Sequence, residues 1–147
     1  MDNEKNIQIR QGTIDDEEQI SELMQQLLGN PVADRKVYLK EALTSERYIA
    51  IVAENEGIII GILDLWYFPD VGHGAALGII MNFIVQEEFR KRGVGGKLFE
   101  EANRIAKELK LHELHVWTDF KNKDAIGVYK SHGFVNECLL LEKEFMR

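Results

Sequence analysis

Between positions 76 and 98 the chain runs from an apolar stretch into a basic, glycine-rich one and on into an amphipathic pattern. Ala76–Val85, broken only by Asn82, is apolar on both faces, as a strand in the middle of a sheet must be. Val94, Leu98, Ala102, Ile105 and Leu109 recur at helical spacing and form one stripe, which predicts a helix over 94–109. The segment between them, Gln86-Glu87-Glu88-Phe89-Arg90-Lys91-Arg92-Gly93, therefore joins a buried strand to a helix start. Gly93, Gly95 and Gly96 let backbone come close to a ligand. The first amides of a helix lack internal acceptors, and the helix dipole favours negative charge there. Arg90, Lys91, Arg92 and Lys97 add four cations in eight residues to a chain of net charge −7. An anion with several charges is the partner this segment suits.

Two known phosphate loops do not fit it. A Walker A loop has Ser or Thr after Gly-Lys, where Leu98 stands here, and its first glycine is replaced by Lys91. A dinucleotide fingerprint needs a third glycine at the place of Leu98.

The rest of the chain reads as a mixed α/β sheet with helices on both faces. Ile7–Arg10 alternates like a short strand. Thr13-Ile14-Asp15-Asp16 resembles a capping box, with Asp in the usual Glu position. Ile20, Leu23, Met24 and Leu27 follow at helical spacing up to Gly29. A shorter helix is expected over 34–43, with Val37 and Leu43 among its apolar positions. Tyr48–Ala53 and Ile58–Phe68 form a hairpin around Glu54-Asn55-Glu56-Gly57, and Pro69–Gly74 reads as a loop. Glu113–Thr118 is a further strand, Lys123–Ser131 a helix closed by Gly133, and Leu139–Phe145 a last strand. All 147 residues make one domain, 1–147.

A second motif stands about 30 residues beyond the first. In Asn122-Lys123-Asp124-Ala125-Ile126-Gly127-Val128-Tyr129-Lys130-Ser131-His132-Gly133-Phe134, Asn122 suits a helix N-cap, and Ala125 and Tyr129 share a face. Arg90, Gly93 and Gly95 match the Arg-x-x-Gly-x-Gly pattern of the GCN5-related N-acetyltransferase (GNAT) superfamily. The second segment matches its Asn-x-x-Ala-x-x-x-Tyr-x-x-x-Gly-Phe pattern. In order and spacing the chain thus resembles that family over most of its length.

The resemblance implies the acyl-CoA N-acyltransferase fold: a central, mostly antiparallel sheet with helices on both faces. It implies acetyl-CoA as cosubstrate, with the pyrophosphate on the segment Arg90, Lys91, Arg92, Gly93, Val94, Gly95, Gly96 and Lys97. The pantetheine arm would meet the backbone of Phe83, Ile84 and Val85, and Asn122 would bind it or fix the following helix. Tyr129 falls where the family has a tyrosine near the thioester sulfur, which gives it the part of general acid. Many relatives carry a glutamate base on the central strand, but Ile80-Met81-Asn82-Phe83 offers no carboxylate. Asp64, His73, Asp119 and water are the remaining candidates. The expected acceptor is a primary amine of a small molecule. A protein N-terminus or lysine, or a CoA-binding domain without turnover, stays open. Relatives are often dimers, so a homodimer is among the expected assemblies.

Composition narrows the classes. A net charge of −7 disfavours nucleic acid and mildly attracts cations such as amines. No apolar run approaches the ~20 residues of a bilayer span. The polar N-terminus lacks a signal peptide's apolar core. The lone Cys138 cannot pair within the chain, and His112, His115 and His132 lack metal-site spacing, so no metal is expected. These features point to a cytoplasmic protein without membrane contact. Trp66, Tyr67 and Phe68 are assigned to packing ahead of a substrate pocket.

Overall fold

The computed structural model describes residues 6–29 and 35–146. The polar N-terminal residues and the expected helix start at Asp34 lie outside them. Five strands form one sheet in the order β1-β2-β3-β4-β5: β1 (Ile7–Gln11), β2 (Tyr48–Asn55), β3 (Ile58–Asp70), β4 (Ala75–Val85) and β5 (Leu111–Val116). The first four are antiparallel neighbours, and β5 runs parallel to β4. Four helices complete the fold: α1 (Glu17–Leu28), α2 (Arg35–Leu43), α3 (Val94–Glu108) and α4 (Lys123–Ser131).

The sheet separates two apolar cores because side chains alternate across it. On one face Ile20, Leu23 and Met24 of α1 and Leu39 and Ala42 of α2 pack on Ala50, Val52, Ile62 and Ile84. On the other, Val94, Leu98, Phe99, Ala102 and Ile105 of α3 pack on Ile51, Leu63, Leu65, Ile80 and Val85. Phe99 is 0% exposed. Each such side chain stabilises the fold by roughly 1.5–3 kcal/mol of burial.

Several sequence expectations shift. In α2 it is Leu39 and Ala42 that face the core, whereas Val37 is 63% exposed. The hairpin turn narrows to Glu56 and Gly57, both at positive φ, as a two-residue loop needs. Strand β3 continues through Pro69, which pairs only with β4 because β2 ends opposite Trp66. A proline fits there, since its missing N–H breaks no ladder on the unpaired side. Strand β5 starts at Leu111, two residues ahead of the expected strand. The expected last strand Leu139–Phe145 does not form: residues 134–144 carry no regular structure, and 145 is a bend.

Arg10 ties β1, β2 and the start of α1 together. Its guanidinium donates to both Asp16 oxygens at 2.8 Å and to Glu54 at 2.6 Å. Asp16 also accepts from the Thr13 N–H at 2.7 Å, one arm of the expected capping box. The Arg10 contact holds the buried Asp16 carboxyl below its ordinary pKa. Asp16 therefore adds stability above pH ~4 that is lost as pH falls through its lowered folded value. Asp16→Asn is expected to cost about 2 kcal/mol at pH 7, with the gap closing in acid. Urea unfolding of both proteins at pH 7 and pH 3 checks this; an equal gap at both values would remove the charge from the account.

Candidate active site

The sheet opens where β5 stops pairing with β4. Strands β4 and β5 pair from Ala76↔Leu111 to Ile80↔Val116, and beyond Ile80 strand β4 keeps only β3 as a neighbour. Phe83, Ile84 and Val85 lie in this freed stretch. At the same point the β3–β4 register slips, with Asp64 opposite Asn82 and Leu65 opposite Ile80, so Met81 is the extra residue of a β-bulge. A bulge turns its strand locally and ends regular pairing.

A buried polar cluster holds the bulge. Asp64 is 2% exposed. It accepts from the Asn82 backbone N–H at 2.7 Å, from Asn82 Nδ2 at 3.0 and 3.1 Å, and from the Tyr48 hydroxyl at 2.5 Å. Burial pushes the Asp64 carboxyl up, and the Tyr48 and Asn82 donors pull against that shift. Burial and the neighbouring Asp64 charge push the Tyr48 hydroxyl up as well. Asn82 stands out in the sequence as the break in an apolar run, but only the strand register brings it and Tyr48 to Asp64.

The glycine-rich segment follows β4 directly. A short 3-10 turn over Glu87–Phe89 leads into it, and α3 begins at Val94 with Gly93 as N-cap at φ 80°. Among the described residues, no acceptor meets the amides of Lys91 through Gly96; Lys97 N–H is the first to find one, on Gly93 O at 3.1 Å. No side chain caps this helix start. The site thus gathers unpaired donors, the positive end of a helix dipole and the exposed cations Lys91, Arg92 and Lys97. Arg90 turns back, its Nε donating to Val85 O at 2.9 Å, so it also anchors the segment to β4.

Gly95 has an inward role that its motif position does not disclose. A Cβ there would stand 2.8 Å from Phe83 Cζ. The Phe83 ring rests on the bare backbone of Gly95 and against Phe99, with ring centroids 4.8 Å apart. Gly96 is looser, its nearest neighbour to an added Cβ being His132 at 3.7 Å.

Helix α4 starts as expected, with Asn122 Oδ1 accepting from Ala125 N–H at 3.3 Å. Tyr129 is half-buried on this helix, edge-on to Phe83 at 6.3 Å and to Phe99 at 6.0 Å. The freed strand, α3 and Tyr129 are thus brought together through one aromatic cluster. The Tyr129 hydroxyl has no hydrogen-bond partner among the described residues, and burial raises its pKa. A raised value keeps the proton on the oxygen at neutral pH.

The three protein candidates for a base stand differently. Asp64 is enclosed by its own donors. His73 sits in the turn before β4, paired with Asp70 at 2.6 Å. At about 3.3 Å per residue it lies roughly 30 Å along the strand from Phe83. Asp119 is exposed and shapes the turn ahead of Asn122, accepting from Lys121 N–H at 2.8 Å and, through its carbonyl, from Asn122 N–H at 2.9 Å. Trp66 packs on the Tyr48 ring at 5.0 Å. Cys138 is exposed. No described helix is long and apolar enough to cross a membrane.

Comparison with known proteins gives a consistent result. A family model described as the acetyltransferase (GNAT) family matches residues 17–134. An N-alpha-acetyltransferase of Sulfolobus acidocaldarius is 30% identical over 142 residues, covering 92% of this chain and 83% of that protein. A chloroplastic GCN5-related N-acetyltransferase 4 of Arabidopsis thaliana is 24% identical over 116 residues, and the match spans 40% of its length. An aminoglycoside N-acetyltransferase crystallised with CoA superposes with a TM-score of 0.82 at 22% identity, covering 95% of each chain, which establishes the shared fold.

Proposed function

The chain belongs to the GNAT acetyltransferase family, and from that premise we propose that it transfers acetyl from acetyl-CoA to a primary amine of a small molecule. The observation that carries this reading is the run of unpaired amides from Lys91 to Gly96, at an uncapped helix start beside the opening between β4 and β5. A diphosphate supplies the acceptors these donors lack. Lys91, Arg92 and Lys97 neutralise its charge, and Arg90 keeps the segment seated on β4. Phe83, Ile84 and Val85, free of β5, offer main chain to the pantetheine. A backbone N–H there supports the negative charge that builds on the acyl oxygen during attack. Asn122 holds the start of α4, and that helix carries Tyr129 to the same aromatic cluster.

When bound, acetyl-CoA supplies an activated acyl group. The chain's own contribution is to hold it, to exclude water around Phe83, Phe99 and Tyr129, and to deliver a proton from the Tyr129 hydroxyl to the departing sulfur. With Asp64 enclosed and His73 remote, the amine loses its proton to solvent.

A second acceptor class has a specific observation behind it. The match to the archaeal N-alpha-acetyltransferase extends over 92% of this chain, which supports a peptide N-terminus. Release of free CoA from acetyl-CoA, followed across polyamines, amino sugars and short peptides, separates the readings. Turnover of small amines with peptides inert is the expected result. Turnover of peptides alone would overturn the small-molecule choice, and CoA binding without turnover of any amine would overturn catalysis.

A further inference from the structure

The bulge in β4 reverses which face of the sheet each side chain meets. Ile80 and Ile84 differ by an even number of positions and would share a face in a regular strand. They lie in opposite cores, Ile80 with α3 and Ile84 with α1 and α2, because the extra residue Met81 falls between them. Asn82 follows the bulge and alternates with Phe83, which packs on Phe99 of α3. Asn82 therefore sits on the α1/α2 face, where Tyr48 also reaches Asp64. In an unbulged strand its amide would point into the α3 core.

That amide has one orientation. Its Nδ2 donates to the two Asp64 oxygens at 3.1 and 3.0 Å, beside the main-chain N–H at 2.7 Å. Only the nitrogen end of an amide can donate, so a carboxylate next to it turns the oxygen end away. Asn82 Oδ1 has no partner among the described residues. No buried side-chain oxygen or nitrogen among those residues lacks one, so this oxygen, on a half-buried residue, is open to solvent. It stands one position ahead of the stretch of β4 that β5 leaves free. Phe99 and Tyr129 crowd Phe83 from the α3 side. The opposite side of the opening carries the Asn82 oxygen.

We propose that Asn82 Oδ1 accepts a hydrogen bond from the acceptor amine and aims its lone pair at the acyl carbon, with Asp64 as the positioning residue that keeps the amide oxygen outward. This deepens the function proposed above and rests on it. An amide oxygen accepts the hydrogen bond without taking the proton, so the amine still loses its proton to solvent. A neutral primary amine that donates one N–H to Asn82 keeps its lone pair free for attack. Holding a nucleophile in an attack geometry removes much of the entropic cost of a two-molecule step. Tyr129 and Asn82 then serve opposite ends of the reaction, the departing sulfur and the incoming nitrogen.

The test is acetyl transfer to spermidine, glucosamine and a tripeptide, followed as CoA release, beside calorimetric titration with CoA. Asn82→Leu keeps the bulk and removes the oxygen. It is expected to lower kcat/KM for the amine by about 10–100-fold, the weight of one hydrogen bond to a charged group. The amine KM should rise, and the Kd for CoA should stay within about threefold. Asp64→Asn leaves an acceptor for the Asn82 main chain but frees the Asn82 amide to turn. It should lower the same ratio by about 3–10-fold, again with CoA affinity kept. A purely structural role would weaken CoA binding together with transfer, because the bulge carries Phe83, Ile84 and Val85; that pattern overturns the proposal. Equal kcat/KM in wild type and Asn82→Leu overturns it too, and unchanged transfer in Asp64→Asn removes the positioning role. Should Asn82→Leu fail to fold, Asp64→Asn decides. A wild-type protein that turns over none of these amines would instead sink the proposed function, and this contact with it.

Discussion

Tyr129→Phe is expected to lower kcat by about 10²–10⁴-fold, the range of a single positioned acid, with the affinity for coenzyme A held within about threefold. The ring makes the packing contacts with Phe83, Phe99 and Phe134, and phenylalanine keeps all of them. Only the hydroxyl is lost, and it has no partner among the described residues whose loss would weaken the fold. Proton transfer from a phenol of ordinary pKa about 10 to a thiolate of about 8.5 is modestly uphill. Burial raises the tyrosine further and steepens that step. The sign for pH follows: the acid stays protonated through neutrality, and kcat falls only as pH rises above 10. Steady-state kinetics of both proteins from pH 6 to 10.5, beside calorimetric titration with CoA, check this. Equal kcat in the two proteins would remove Tyr129 from the chemistry.

Gly95→Val is expected to raise the Kd for coenzyme A at least about tenfold and to cost roughly 1–3 kcal/mol of stability. The motif suggests that a side chain there would block the ligand. The direction of the missing Cβ gives another reason, since it points at the Phe83 ring, 2.8 Å away. A side chain at 95 drives that ring off α3 and disturbs the strand whose backbone we propose meets the pantetheine. Phe83→Leu in the Gly95→Val background should therefore restore most of both stability and affinity, the non-additivity of neighbours that share a space. Stability regained without affinity would return the effect to direct blockage of the ligand.

What was legible in the sequence was local in origin. The stripe of α3, the N-cap Asn122 and the stop at Gly133 are set by residues within a few positions of one another, and all occur as read. The grip on Asp64 was not legible. Tyr48 and Asn82 lie 16 and 18 residues from it, and a bulge decides which of them meet. Phe99 escaped the five-residue stripe because its neighbours across α3 are the aromatic rings of β4 and α4, not the strand pattern. Val37 is an apolar position of α2 by residue type, but the helix turns Leu39 and Ala42 to the sheet instead. Leu139–Phe145 reads as a strand because its side chains suit one, but an edge partner is a tertiary fact.

The division of the apolar interior by the sheet has a bearing on how acceptor choice could be redesigned. The helices α1 and α2 rest on their own layer of side chains, while the start of α3 and Tyr129 belong to the opposite layer. Transplanting α1 and α2 from a relative with another preferred amine would disturb the first layer and leave the glycine-rich segment and Tyr129 seated. The Tyr48–Asp64–Asn82 cluster holds the bulge, so a chimera that retains those three residues keeps the bulge in place whatever helices lie above it.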